Sequence, residues 1–246
     1  MEVYYCYIPH KLVETQAYNY SILWSSRMEK IVAHKNEPIK VEYAINKAVT
    51  ILGSGGVVSI PTDTLYALSA SIINQEAVNR VFAIKNRDPS KPLPILTHSK
   101  TDVSQWSKNL SQPALALLEA FSPGPLTLVV EKSDLVPSTL FSSTKTIAIR
   151  VPNSKITQEI ISRLGSPITG TSANKSGASD PISAKSVIES IGTDIDLIID
   201  AGETEGGIGS TIVDVTDNNI RILREGVIRS NHIQKVCKIG LTPPTK

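Results

Sequence analysis

Four polar clusters interrupt or end apolar stretches, and each carries side chains able to do chemistry. Pro61-Thr62-Asp63-Thr64-Leu65-Tyr66 follows directly on the apolar run Val57-Val58-Ser59-Ile60. Hydroxyls at the end of a buried strand sit where α/β proteins bind ligands, although Pro, Thr and Asp are also ordinary turn formers. Lys85-Asn86-Arg87-Asp88-Pro89-Ser90-Lys91-Pro92 puts three cations at a helix end and on a loop fixed by two prolines. Such cations complement the helix dipole; held on a stiff loop they equally suit a polyphosphate. In Thr146-Ile147-Ala148-Ile149-Arg150-Val151, alternation puts Thr146, Ala148 and Arg150 on one face and the branched apolar residues on the other. A charge is almost never buried unpaired, so Arg150 should meet an internal carboxylate or a bound anion; its small neighbours favour the anion. Gly170-Thr171-Ser172-Ala173-Asn174-Lys175-Ser176-Gly177-Ala178-Ser179 reads either as a plain surface loop or as a place where amides and hydroxyls approach a ligand closely. Gly206-Gly207-Ile208-Gly209-Ser210-Thr211 repeats the theme ahead of a strand, and Arg224 ends the next one.

Other chemistries find little support. The histidines (His10, His34, His98, His232) have no acid or nucleophile at a telling spacing. Cys6 and Cys237 lie at opposite ends, and no C-x-x-C exists for a thiolate zinc site, so no metal ligands are assigned. There is no G-x-x-x-x-G-K-[ST] loop, and Gly-Ser-Gly-Gly at 53–56 precedes a strand, the wrong order for a dinucleotide turn.

The elements that must position these clusters follow from periodicity and capping. Val41, Ala44, Ile45, Ala48, Val49 and Leu52 predict a helix ended by glycines at 53–56. Asn74, Ser111, Asn153 and Ser183 are expected to cap four more helices. Strands are expected at 57–60, 92–96, 126–130, 147–151, 197–199, 211–215 and 220–223. Alternating strands and helices without a compositional break imply one α/β domain over 41–230. Residues 1–40, of which 1–37 are polar and aperiodic, are expected to form a poorly ordered extension, and 231–246 a tail.

The chain has 246 residues, room for one large domain, with 41% hydrophobic and 20% charged residues. Lys+Arg total 25 against 23 Asp+Glu, too even a balance to argue nucleic-acid binding from bulk charge. No apolar run reaches the roughly 18–20 residues that span a bilayer, and no secretory leader is visible. Few cysteines fit a reducing compartment, so a cytoplasmic location is expected. Glu2, Glu14 and Glu29 argue against a mitochondrial transit peptide, although the extension leaves a mitochondrial pool open.

Seven segments, in order and with similar gaps, resemble the YrdC family, whose enzymatic members are threonylcarbamoyl-AMP synthases. They are Gly-Gly-Val-Val-Ser-Ile-Pro-Thr-Asp-Thr-Leu-Tyr (55–66), Lys-Asn-Arg (85–87) with Lys-Pro-Leu (91–93), and Pro-Gly-Pro-Leu-Thr-Leu-Val (123–129). Ile-Ala-Ile-Arg-Val-Pro (147–152), Thr-Ser-Ala-Asn-Lys-Ser-Gly (171–177), Gly-Ser-Thr-Ile-Val-Asp (209–214) and Ile-Leu-Arg-Glu-Gly (222–226) complete them. The resemblance implies a single twisted α/β domain with a mixed β-sheet around a deep basic cleft. It implies that L-threonine, bicarbonate or CO2, and ATP with Mg2+ become threonylcarbamoyl-adenylate and pyrophosphate. A separate complex would transfer the product to tRNA as N6-threonylcarbamoyladenosine, and the family leaves room for tRNA binding. Carried over by position, Thr64 and Arg150 would hold threonine, and Gly170 would leave room beside it. Arg87, Lys91, Thr146, Ser172, Asn174, Ser179 and Arg224 would contact ATP, with Lys85 and Arg87 as the catalytic cations. Leu96 stands where many relatives have a threonine-contacting His, Glu225 where Pro is common, and Ala67 where Gly is common. The chain is similar to the short, single-domain members. The main alternative is a non-catalytic RNA-binding module using the same cleft; an aromatic content of 5% offers it no stacking platform.

Overall fold

The computed structural model describes residues 28–137, 144–192, 194–217 and 220–237. The expected disorder of residues 1–27 and the end of the expected tail lie outside them.

In chain order the elements are β1 (Glu29–Val32), α1 (Pro38–Gly53), β2 (Val58–Pro61), β3 (Tyr66–Ser69), α2 (Gln75–Lys85) and β4 (Ile95–Leu96). Then come α3 (Lys100–Trp106), α4 (Gln112–Phe121), β5 (Leu126–Glu131), β6 (Thr146–Arg150), α5 (Lys155–Leu164), β7 (Ile168–Thr169) and β8 (Thr171–Ser172). The last are α6 (Ala184–Ile191), β9 (Leu197–Asp200), β10 (Thr211–Asp214), β11 (Arg221–Arg224) and α7 (Ser230–Cys237). The fold is α/β and mixed, as expected, but its strands form two sheets: β1-β9-β2-β3-β8 and β11-β10-β5-β6-β4-β7. Parallel and antiparallel ladders occur in both.

Local chemistry explains the helix ends. Asn74 Oδ1 accepts from Ala77 N at 2.9 Å to start α2. Asn86 ends it in the left-handed region at φ 49, which Asn tolerates better than most side chains. That turn sends Lys85 inward, 2% exposed, and leaves Arg87 half-buried on the cleft. Ser154, rather than the expected Asn153, caps α5 by accepting from Thr157 N. Ile147 and Ile149 of β6, and Val151 just after it, enter the core with Leu126, Leu128 and Val213, so the opposite face of β6 is turned to the cleft.

Two boundaries move. β1, inside the expected extension, pairs in parallel with β9 from Glu29↔Leu197 to Val32↔Asp200. Helix α7 lies in the expected tail, yet Ile233 and Cys237 are buried in the core cluster. Among the described residues no helix is long and apolar enough to cross a membrane.

Candidate active site

Elements of both sheets line one cleft of about 730 Å³. Into it the fold brings Thr64, Lys85, Arg87, Arg150, Gly170, Ser172, Asn174 and Arg224, all picked out from sequence. Lys91, Thr146 and Ser179 are not among its lining residues: Ala148 represents the small-residue face of β6 there, and Pro92 and Ala178 the two loops.

Arg150 anchors one corner and is only 7% exposed. Its Nε donates to Gly124 O at 3.0 Å, one terminal nitrogen to Thr64 Oγ1 at 2.7 Å, and the other to Asp63 Oδ1 at 2.5 Å. The sequence pattern favoured a bound anion over an internal carboxylate as its partner; the structure supplies the carboxylate, Asp63. Burial pulls the guanidinium below the ordinary arginine value, and Asp63 opposes that shift. Arginine has five N–H donors, and the contacts above engage three of them, so two N–H remain for a ligand. Asp63 Oδ1 also accepts from Asn153 N at 3.0 Å, tying the β2–β3 turn to the entry of α5.

Thr62 holds that turn together. Its Oγ1 donates to Leu65 O at 2.6 Å and accepts from the backbone N–H of Thr64 at 3.1 Å and of Leu65 at 3.2 Å, which occupies its proton and both lone pairs. Thr64 Oγ1, 3.0 Å from Thr62 Oγ1, accepts from Arg150, which leaves its oxygen one lone pair. That lone pair suits an N–H or O–H of a ligand.

Lys85 departs from the expected free cation. Its Nζ donates to Ser172 O at 2.6 Å, Asn174 O at 2.7 Å and Asn174 Oδ1 at 3.2 Å. The Asn174 side chain also accepts from Ser172 Oγ and donates to Ala178 O and Ser179 O. Both residues therefore hold the 172–179 loop in shape. Burial and the positive charge of Arg87 lower Lys85 from 10.5 to about 8. Below that pH three protons serve three oxygens; above it one proton is gone and one bond fails. ATP affinity is expected to fall as pH rises through about 8, and Lys85→Met should abolish that dependence. Calorimetric titrations on either side of this pH check it.

Arg87 donates to the carbonyls of Lys91 and Pro92, both at 3.1 Å. Arg224 donates to Ser210 O at 3.1 and 2.8 Å and to Ser210 Oγ at 3.3 Å. Burial lowers both guanidinium groups from the ordinary arginine value, and the charge of Asp180 acts against this at Arg224. Among the described residues neither Arg87 nor Arg224 forms a salt bridge, whereas Arg150 does. Gly170 makes room for Leu96: a Cβ there would lie 2.5 Å from Leu96 Cγ. Sequence reasoning did not assign Asp63, Asp180 or Glu225 a role. Asp63 sat inside a quoted motif, but its partner lies 87 residues away, beyond any local pattern.

Comparison with known proteins agrees with this layout. The family model for Sua5, YciO and YrdC, described as telomere recombination, matches residues 50–226. The chain is 36% identical over 206 residues to a threonylcarbamoyl-AMP synthase of Pyrococcus abyssi, covering 84% of this chain and 60% of that protein. It is 32% identical over 207 residues to the threonylcarbamoyl-AMP synthase of Bos taurus, covering 81% of this chain and 74% of the relative. The crystal structure of P. abyssi Sua5 with L-threonine superposes with a TM-score of 0.78 at 35% identity, over 85% of this chain and 60% of that one. The chain thus spans about 60% of the length of its P. abyssi relative. With the motif order, the fold and the cleft all in agreement, the chain belongs to the Sua5/YciO/YrdC family.

Proposed function

We propose that this protein is a threonylcarbamoyl-AMP synthase, joining L-threonine, bicarbonate or CO2, and ATP into threonylcarbamoyl-adenylate with release of pyrophosphate. One observation carries the reading. A single cleft holds a corner suited to an α-amino acid, Arg150 with Thr64, and two arginines, Arg87 and Arg224, that form no salt bridge among the described residues. The names of the P. abyssi and B. taurus relatives, and the L-threonine in the former's crystal structure, support the substrate.

In this reading two N–H donors of Arg150 take the threonine carboxylate, and Thr64 accepts an N–H of the ammonium group of the arriving zwitterion. The ammonium gives one proton to solvent, and Thr64 orients the freed amine, whose lone pair adds to the carbon of CO2; a second proton passes to solvent and a carbamate forms. A carbamate oxygen attacks the α-phosphorus as the bond to pyrophosphate breaks. Positioning and stabilisation of spread negative charge by Arg87 and Arg224 suffice, and no side-chain nucleophile is needed. Ser172 borders the nucleotide path and Gly170 the threonine, with Lys85 and Asn174 shaping the loop and Lys91, Thr146 and Ser179 further out. Mg2+ would arrive on the ATP phosphates and neutralise their charge. Asp180 on the lining suits an ion that keeps most of its water; Glu225 is engaged by Arg229 and Ser230, and the described residues form no metal-binding carboxylate cluster. A separate transferase would consume the product to build N6-threonylcarbamoyladenosine in tRNA, and a cytoplasmic site of action fits that role.

Purified protein with Mg-ATP, L-threonine and bicarbonate should release pyrophosphate only when all three are present. Undiminished turnover without threonine sinks the proposal. Strongly salt-dependent RNA binding with no turnover would instead favour a binding module.

A further inference from the structure

The Asp63–Arg150 pair carries more charge than its geometry needs. Asp63 Oδ1 receives both the guanidinium N–H and the backbone N–H of Asn153. The amide oxygen of an asparagine could accept the same two bonds. Gly206 packs so closely that a Cβ on it would lie 2.7 Å from Asp63 O and 2.9 Å from Thr64 Cα, so backbone packing already braces the turn. What only the carboxylate supplies is its negative charge, on a side chain 15% exposed beside an arginine 7% exposed.

Charge separates the arginines of this cleft. Arg87 and Arg224 rest on backbone carbonyls and a hydroxyl, which orient a guanidinium without neutralising it. Arg150 is neutralised at contact distance, where sheltered charges interact far more strongly than in bulk water. An anion approaching Arg150 therefore meets directional N–H donors whose own charge Asp63 offsets, with the positive charge of Arg224 acting from beside it. A triphosphate, with several negative charges, gains little there and is repelled by Asp63. A zwitterionic amino acid loses little by that offset: its carboxylate uses the two remaining N–H of Arg150, and its ammonium faces the lone pair of Thr64.

We propose that Asp63 is a specificity-determining residue, whose charge reserves the Arg150 corner for the net-neutral amino acid and leaves the polyphosphate to Arg87 and Arg224. This inference rests on the reading that the cleft takes an amino acid together with ATP.

The test uses inorganic tripolyphosphate as the probe and Asp63→Asn as the variant. In the wild-type protein, saturating tripolyphosphate should weaken ATP binding yet change the calorimetric threonine Kd less than about twofold. In Asp63→Asn, threonine affinity should fall about tenfold when tripolyphosphate is added, a difference well within calorimetric range. An asparagine variant whose threonine affinity ignores tripolyphosphate overturns the proposal. So does a variant that loses both substrates together with its thermal stability, because Asp63 is then structural. If the variant does not fold, the wild-type titration decides alone: tripolyphosphate that displaces threonine from wild-type protein overturns the idea, and its failure to do so supports it. Absence of threonine-dependent pyrophosphate release from wild-type protein would instead remove the functional reading beneath, and the inference with it.

Discussion

Arg150→Ala should lose threonine binding by roughly 10- to 150-fold, the range for hydrogen bonds to a charged group. It should also be markedly less stable. The substitution strands Asp63, whose side chain is only 15% exposed, without its cation. Breaking a buried pair in this way costs about 3–5 kcal/mol, and the modest exposure of Asp63 places the cost near the lower end. A loss of about 3 kcal/mol corresponds to roughly 6–12 °C in Tm for a domain of this size. Arg150→Lys should not restore threonine binding, because one ammonium on a flexible stem cannot reach Gly124 O, Thr64 and Asp63 and still offer two N–H to a ligand. The double variant Asp63→Ala/Arg150→Ala should melt higher than Arg150→Ala, since no charge is left stranded. Threonine calorimetry and melting curves on the three variants test this. Wild-type threonine affinity in Arg150→Ala would eliminate the carboxylate role, and equal melting of the single and double variants would eliminate the ion-pair account.

Gly226→Ala should damage the part of the cleft that holds Arg224. A Cβ on Gly226 would lie 2.6 Å from the Ser210 carbonyl carbon and 2.7 Å from its oxygen. Backbone cannot yield as a flexible side chain would, so the 225–227 segment must lift off residues 209–210. Ser210 O is the acceptor that fixes Arg224, and Gly226 N itself donates to Thr211 Oγ1 at 3.0 Å. Overpacking of this kind costs about 1–3 kcal/mol, or roughly 2–12 °C in Tm. ATP affinity should fall about tenfold or more as Arg224 loses its register, while threonine affinity stays within about twofold. An unchanged ATP Kd would show that Arg224 does not need this anchor.

How much of this was legible depended on the range of the interaction responsible. Helix caps are local, so Asn74, Ser111 and Ser183 could be read directly. The α5 cap was misplaced by one residue because both Asn153 and Ser154 are good caps and only tertiary context chooses: Asn153 N is drawn to Asp63. The exposed and buried faces of β6 followed from alternation alone. The strand expected at 92–96 is present but shortened to β4, while the two-residue strands β7 and β8 left no periodic signal and are held by their neighbours. β1 and α7 were assigned to extension and tail because amphipathic segments at chain ends look like solvated polar stretches until their partners are known. The candidate site was legible as a set of polar interruptions, and the motif resemblance gave them roles. What the sequence could not display was the pairing within the set: Asp63 with Arg150, and Lys85 with the 172–174 backbone. These are contacts across the fold, set by topology rather than by spacing.

The position of β9 has a consequence for biosynthesis. In the finished sheet β9 lies between β1 and β2, although it follows them by most of the chain. During translation the apolar strand Val58–Pro61 leaves the ribosome long before residues 197–200 exist to flank it. At about 5–20 residues per second that interval is on the order of ten seconds, far longer than hydrophobic collapse requires. Until β9 is made, the nascent chain carries an apolar strand paired to β3 on one side and open on the other, an edge on which cellular holdases act and on which crowded polysomes can cross-associate.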